Sequence, residues 1–211
     1  MTGASSRAMI KIDELKRMDT SEAENGAVCV YCGSRPGTSQ AYVTLAENVG
    51  ELLGKSNIRL VYGGGNVGLM GATARACLNA GGKVTGVIPD FLQARELALK
   101  EADEMIVTGS MHERKQIMFD RADAFVVLPG GIGTLDETIE MMTWRQLSRH
   151  TKPIYLMDHD GFWAPLVQLF DHMIKAGFLG DNVAEYYQVV TSLDILKARL
   201  KNLHNSDTFG S

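Results

Sequence analysis

Two short segments bring together residue types that can bind an anion and do chemistry beside it. They are Ser110-Met111-His112-Glu113-Arg114-Lys115 and Pro129-Gly130-Gly131-Ile132-Gly133-Thr134-Leu135-Asp136-Glu137. The second follows the apolar run Ala124-Phe125-Val126-Val127-Leu128, which reads as a buried parallel strand, and leads into helical periodicity from Thr134 to about Leu147. Gly130, Gly131 and Gly133 let the backbone approach a ligand closely. The free N–H groups and positive dipole end of the new helix favour a phosphate at that point. Glu137 then sets a carboxylate beside a phosphate seat, and this has two readings. Thr134 with Glu137 fits a capping box, which is a structural use; the other reading is a catalytic carboxylate.

The first segment supplies cations. Ser110 with Glu113 makes a further capping box, which accounts for Glu113 structurally. Arg114 lies three residues after Met111 and four before Met118, on a helix face whose apolar members should point inward. Such a guanidinium either snorkels to the surface or lines a polar cleft, because burying it unpaired is costly. Lys115 is adjacent, and a basic pair can neutralise a phosphate or a developing negative charge. His112, close behind an N-cap, reads as a surface or supporting residue.

Other motifs have plainer explanations. Gly63-Gly64-Gly65-Asn66-Val67-Gly68 fits the dinucleotide fingerprint, with Asp90 as a candidate ribose-binding acid, but a tight turn with close helix packing explains the same glycines. Cys29 and Cys32 are three apart on a strand, so they point to opposite faces and read as buried cysteines, not as a metal or redox pair. Asp158-His159-Asp160-Gly161 holds metal-ligand residue types but follows a strand, where a polar turn is expected. Met141, Met142 and Trp144 read as core residues or as a wall for a flat ligand.

The elements that position these motifs alternate between strand and helix along most of the chain. Strands are expected at 28–31, 59–62, 83–88, 104–107, 124–128 and 153–157, with helices at 39–53, 69–80, 111–121, 134–147, 162–176 and 193–203. Residues 89–100 are less regular and read as a lid or mobile connection. This alternation predicts one α/β, doubly wound, Rossmann-like domain with a mainly parallel sheet covered by helices on both faces. Its span is 27–204, between a polar extension, 1–26, and a tail, 205–211. Ligands of such sheets bind outside the strand carboxyl ends, where the glycine turns at Gly33, Gly63 and Gly130 fall.

A chain of 211 residues, 45% hydrophobic and 22% charged, suits one such domain. Its net charge of -4 gives no global basic field, so neither nucleic acid nor an anionic membrane is an expected partner. No apolar run approaches the roughly 20 residues of a membrane span, and a cytoplasmic protein is expected.

Taken together, the Arg114-Lys115 pair and the 129–137 motif resemble the LONELY GUY (LOG) family, whose pattern is Arg-Lys followed by P-G-G-x-G-T-x-x-E. Tyr62-Gly63-Gly64-Gly65, Gly68-Leu69-Met70-Gly71 and Gly86-Val87-Ile88-Pro89 are also similar to that family, and the likeness runs from about Val28 to Leu200. The resemblance implies a cytokinin riboside 5'-monophosphate phosphoribohydrolase, which cleaves an N6-substituted AMP to free base and ribose 5-phosphate. It implies Arg114 and Glu137 as the catalytic pair, and Gly130, Gly131, Gly133 and Thr134 with Lys115 around the phosphate. It further implies Glu96 and Thr143 as substrate contacts, a homodimer, and no metal or other cofactor. Members are often labelled lysine decarboxylases, but no pyridoxal phosphate site is legible here. The competing functions are a non-catalytic nucleotide-binding protein and a nicotinamide-dependent oxidoreductase.

Overall fold

The computed structural model describes residues 24–96, 98–201 and 203, apart from the side chains of residues 94–96. Nearly all of the expected 1–26 extension, and the whole 205–211 tail, lie outside the described residues. The strands are β1 (Ala27–Tyr31), β2 (Arg59–Tyr62), β3 (Val84–Pro89), β4 (Glu104–Thr108), β5 (Ala124–Val127), β6 (Ile154–Met157) and β7 (Gln188–Val190). The helices are α1 (Gln40–Lys55), α2 (Gly68–Asn79), α3 (Asp90–Glu96), α4 (Met111–Asp120), α5 (Ile132–Gln146), α6 (Ala164–Lys175) and α7 (Leu193–Leu200).

The seven strands form one sheet in the order β4-β3-β2-β1-β5-β6-β7, and every pairing is parallel. The expected doubly wound architecture is therefore present, and the sheet is wholly parallel. From β1 the chain builds outward first through β2 and later through β5, so the order reverses between β1 and β5. A crevice opens at the carboxyl ends of strands at such a reversal.

Alternation along the strands divides the core in two. Val28 and Val30 of β1 join Leu60 and Tyr62 of β2 against Leu45, Val49 and Leu53 of α1. Cys29 and Tyr31 join Phe125 and Val127 of β5 against Met118, Met141 and Trp163. Cys29 and Cys32 fall in different clusters, both buried and unpaired as thiols. Burial pushes both thiols well above their ordinary range, so neither is a ready thiolate.

Two expectations need correction. The 89–100 segment is not an irregular lid: α3 occupies its first part, and Leu99 then donates its backbone N–H to the Gly64 carbonyl at 3.1 Å. Six strands were expected, but β7 adds a seventh. It is three residues long and half open to solvent at the sheet edge, too short to show a period.

Helices α1 and α2 approach so closely that glycine is required at their contact. A Cβ at Gly50 would overlap the Thr73 carbonyl oxygen, and one at Gly54 would lie 2.6 Å from the Cys77 carbonyl oxygen. Gly50→Ala is therefore expected to lower stability by about 1–3 kcal/mol through overpacking, although alanine is the better helix former. Gly133→Ala, where an added Cβ meets nothing within 4 Å, serves as the control and should leave stability unchanged or slightly raised. Thermal unfolding followed by circular dichroism separates the two outcomes.

Candidate active site

The crevice between β1 and β5 is a cavity of about 770 Å³. Its walls are the β1–α1 loop from Cys32 to Gly37, the start of α2, and the 129–134 turn with the first residues of α5. The two lips are tied together directly, since Gly33 donates its N–H to the Pro129 carbonyl at 3.1 Å.

The glycine turn is built for close approach. Gly131 is the extended N-cap of α5 and offers no side chain to the cap. First-turn N–H groups such as those from Ile132 to Thr134 have no intrahelical acceptor, and a helix end of this kind favours an anion electrostatically. Gly130 must lack a side chain, because a Cβ there would overlap the Thr134 hydroxyl. Helix α5 thus begins at Ile132, two residues before the expected Thr134. This overturns the capping-box reading of Thr134 and Glu137: Thr134 lies inside the first turn, and Glu137 falls in the second turn and turns inward, 7% exposed.

Glu137 meets Arg114 there. The Arg114 guanidinium, 7% exposed, places Nη1 3.1 Å from Glu137 Oε1. Its Nε donates to the Val87 carbonyl at 3.1 Å and its Nη2 to the Gly63 carbonyl at 3.5 Å. Of the two sequence readings for Arg114, the polar cleft is the one realised. A Cβ at Gly63 would overlap Arg114 Nη2, so this glycine makes room for the guanidinium.

The rest of the Gly63–Gly68 turn is likewise used for packing. The N–H groups of Leu69 and Met70, at the start of α2, are taken by the Gly33 carbonyl at 3.0 and 3.4 Å. A Cβ at Gly68 would overlap the Ser34 backbone. The helix end that a dinucleotide pyrophosphate would need is therefore already occupied. Asp90 is exposed and accepts from the backbone N–H of Phe91 at 2.6 Å.

Arg114, Glu137, Gly130, Gly131, Gly133 and Thr134 all line the cavity. Lys115 is not among the lining residues. It is buried one position on and joins α4 to α5 through Asp136 at 3.2 Å and Glu140 at 3.0 Å. Burial alone would lower its pKa, but the bonds to Glu140 and Asp136 outweigh that and hold it above the ordinary lysine value. Thr143 sits on the outer face of α5, bonded to the Ile139 carbonyl at 2.8 Å, and opens on a separate groove. The side chain of Glu96 lies outside the described residues.

His112 is exposed, as expected. Asp158 caps a polar turn by accepting from the N–H groups of Gly161 and Trp163, and no group of three metal-ligand side chains occurs among the described residues. The sequence reading missed the contribution of Ser34, Arg35, Tyr42 and Phe162 to the cavity. The glycine turn at Gly33, at a strand carboxyl end, was the available signal. No described helix is long and apolar enough to cross a membrane.

Comparison with known proteins agrees with this geometry. The family profile described as "Possible lysine decarboxylase" matches residues 70–200. The cytokinin riboside 5'-monophosphate phosphoribohydrolase LOG4 of Arabidopsis thaliana is 38% identical over 190 residues, covering 90% of this chain and 87% of that protein. The cytokinin riboside 5'-monophosphate phosphoribohydrolase of Rhodococcoides fascians is 43% identical over 154 residues, covering 72% of this chain and 78% of that one. Among solved structures, the molybdenum cofactor carrier protein of Chlamydomonas reinhardtii superposes with a TM-score of 0.65 at 21% identity, covering 85% of this chain and 98% of that chain. That last likeness is one of fold alone. Profile, identity and coverage together show that this chain belongs to the LOG family.

Proposed function

We propose that this protein hydrolyses the N-glycosidic bond of cytokinin riboside 5'-monophosphates, with AMP itself also accepted, releasing the free base and ribose 5-phosphate. The observation that carries the reading is the Arg114–Glu137 pair, 3.1 Å apart, opening on the same cavity as the glycine turn. In this reading the N-terminus of α5, with Gly130, Gly131, Gly133 and Thr134, receives the 5'-phosphate. Binding energy from the phosphate, remote from the broken bond, then holds the ribose against Glu137.

Loss of the base leaves an oxocarbenium-like sugar. Glu137 stabilises that cation and orients the water that attacks C1'. Arg114 orients Glu137; it does not shuttle protons, because a guanidinium stays charged. Lys115 acts at one remove, by fixing α5 through Asp136 and Glu140. No metal or organic cofactor is required in this scheme, and we assign the reaction to the cytoplasm.

We also propose a homodimer formed through α5. Its outer face leaves Ile132 87%, Ile139 38% and Leu147 64% exposed, around a groove that includes Thr143 and Trp144. These positions recur at helical spacing and form one apolar stripe of the kind that marks an interface.

Three results test this function. Chromatography should show base release from AMP and from isopentenyladenosine monophosphate by the wild type, and a loss of about a hundredfold or more in Glu137→Gln with nucleotide binding retained. Binding without turnover in the wild type would instead identify a nucleotide-binding protein. Arg114→Ala should abolish turnover and also lower stability by about 3–5 kcal/mol, because it breaks a buried ion pair by removing the cation that compensates the Glu137 carboxylate; denaturant unfolding reads the second effect. Ile139→Asp should convert a dimer to a monomer in light scattering after size exclusion.

A further inference from the structure

Three charged side chains line the cavity: Arg35, Arg114 and Glu137. Arg114 and Glu137 compensate each other at 3.1 Å. Lys115, the cation that the sequence set beside the phosphate, is bound by Asp136 and Glu140 instead. A 5'-phosphate carries a charge of about -1.5 to -2 near neutral pH, whereas a helix N-terminus supplies only about +0.5. Most of the phosphate charge would therefore be unmet by the residues considered so far.

Arg35 is the remaining cation of the lining, and it makes no ion pair among the described residues. Its backbone is held on both sides. Gly33 donates to Pro129, at the entrance to the glycine turn, and accepts from Leu69 and Met70 of α2. On the other side Gly37 rests on the Tyr42 ring, where a Cβ would come within 2.8 Å. The loop thus presents Arg35 from the lip facing the N-terminus of α5, with its side chain exposed and available. A guanidinium matches a phosphate through paired, charge-assisted hydrogen bonds.

We propose that Arg35 recognises the 5'-phosphate and makes the site select a nucleotide over the corresponding nucleoside. The proposal rests on the hydrolase reading for its substrate but not for its test. Steady-state kinetics with AMP, and calorimetric titration with ribose 5-phosphate and with adenosine, are compared for wild type, Arg35→Gln and Arg35→Lys. In Arg35→Gln, kcat/KM for AMP should fall and Kd for ribose 5-phosphate should rise, each by about tenfold or more, with the melting temperature little changed. Affinity for adenosine should not change, and Arg35→Lys should recover part of the loss. An unchanged Kd for ribose 5-phosphate in Arg35→Gln overturns the proposal, as does an equal loss of affinity for adenosine. If the wild type turns over no nucleotide, the hydrolase reading fails, and the ribose 5-phosphate titration still decides the role of Arg35.

Discussion

The site depends on one buried ion pair. Arg114 on α4 and Glu137 on α5 are each less than a tenth exposed, and a charge removed from water to that degree is tolerated only with a partner and with its hydrogen bonds filled. The Val87 and Gly63 carbonyls accept two of those of Arg114, so the carboxyl ends of β2 and β3 hold the guanidinium, and the guanidinium in turn meets Glu137. Beside it, Lys115 with Asp136 and Glu140 makes a second tie between the same two helices. Position along α5 is thereby set at two points, and the glycine turn at its head is held relative to the carboxylate.

The glycines supply space in different ways. Gly130 admits the Thr134 hydroxyl, Gly63 admits the Arg114 guanidinium, and Gly50 admits the Thr73 carbonyl of a neighbouring helix. Only the first of these lines the cavity. The second is a packing device that supports the charged pair, and the third is a helix–helix contact remote from the cavity. A fingerprint of glycines after a strand therefore does not distinguish a ligand site from a tight contact, because both need the same missing Cβ.

Placement of the cavity follows from the order of the strands. The reversal between β1 and β5 leaves adjacent carboxyl ends whose connections diverge, and the two loops that leave them face each other across the gap. One loop carries glycines and a helix start; the other carries Arg35. The buried Arg114–Glu137 pair opens on the same crevice as both loops.

Local pattern in the sequence determined a good deal. Strand and helix alternation predicts the α/β sheet, because apolar periodicity is a property of neighbours along the chain. The opposite facing of Cys29 and Cys32, the polar turn at Asp158, the Ser110 cap of α4 and the glycine turn between β5 and α5 are legible for the same reason. Tertiary structure alone decided who meets whom. Arg114 reaches a carbonyl 51 residues away in the chain, and no spacing rule predicts that contact. Lys115 is drawn off by Asp136 and Glu140, and the Gly33 carbonyl occupies the α2 terminus. The start of α5 at Ile132 puts Glu137 in the second turn, where it reaches the cleft and Arg114. Propensity and periodicity set which segment becomes a helix, but which side chains meet is decided by burial, because a charge taken out of water needs a partner wherever the fold supplies one.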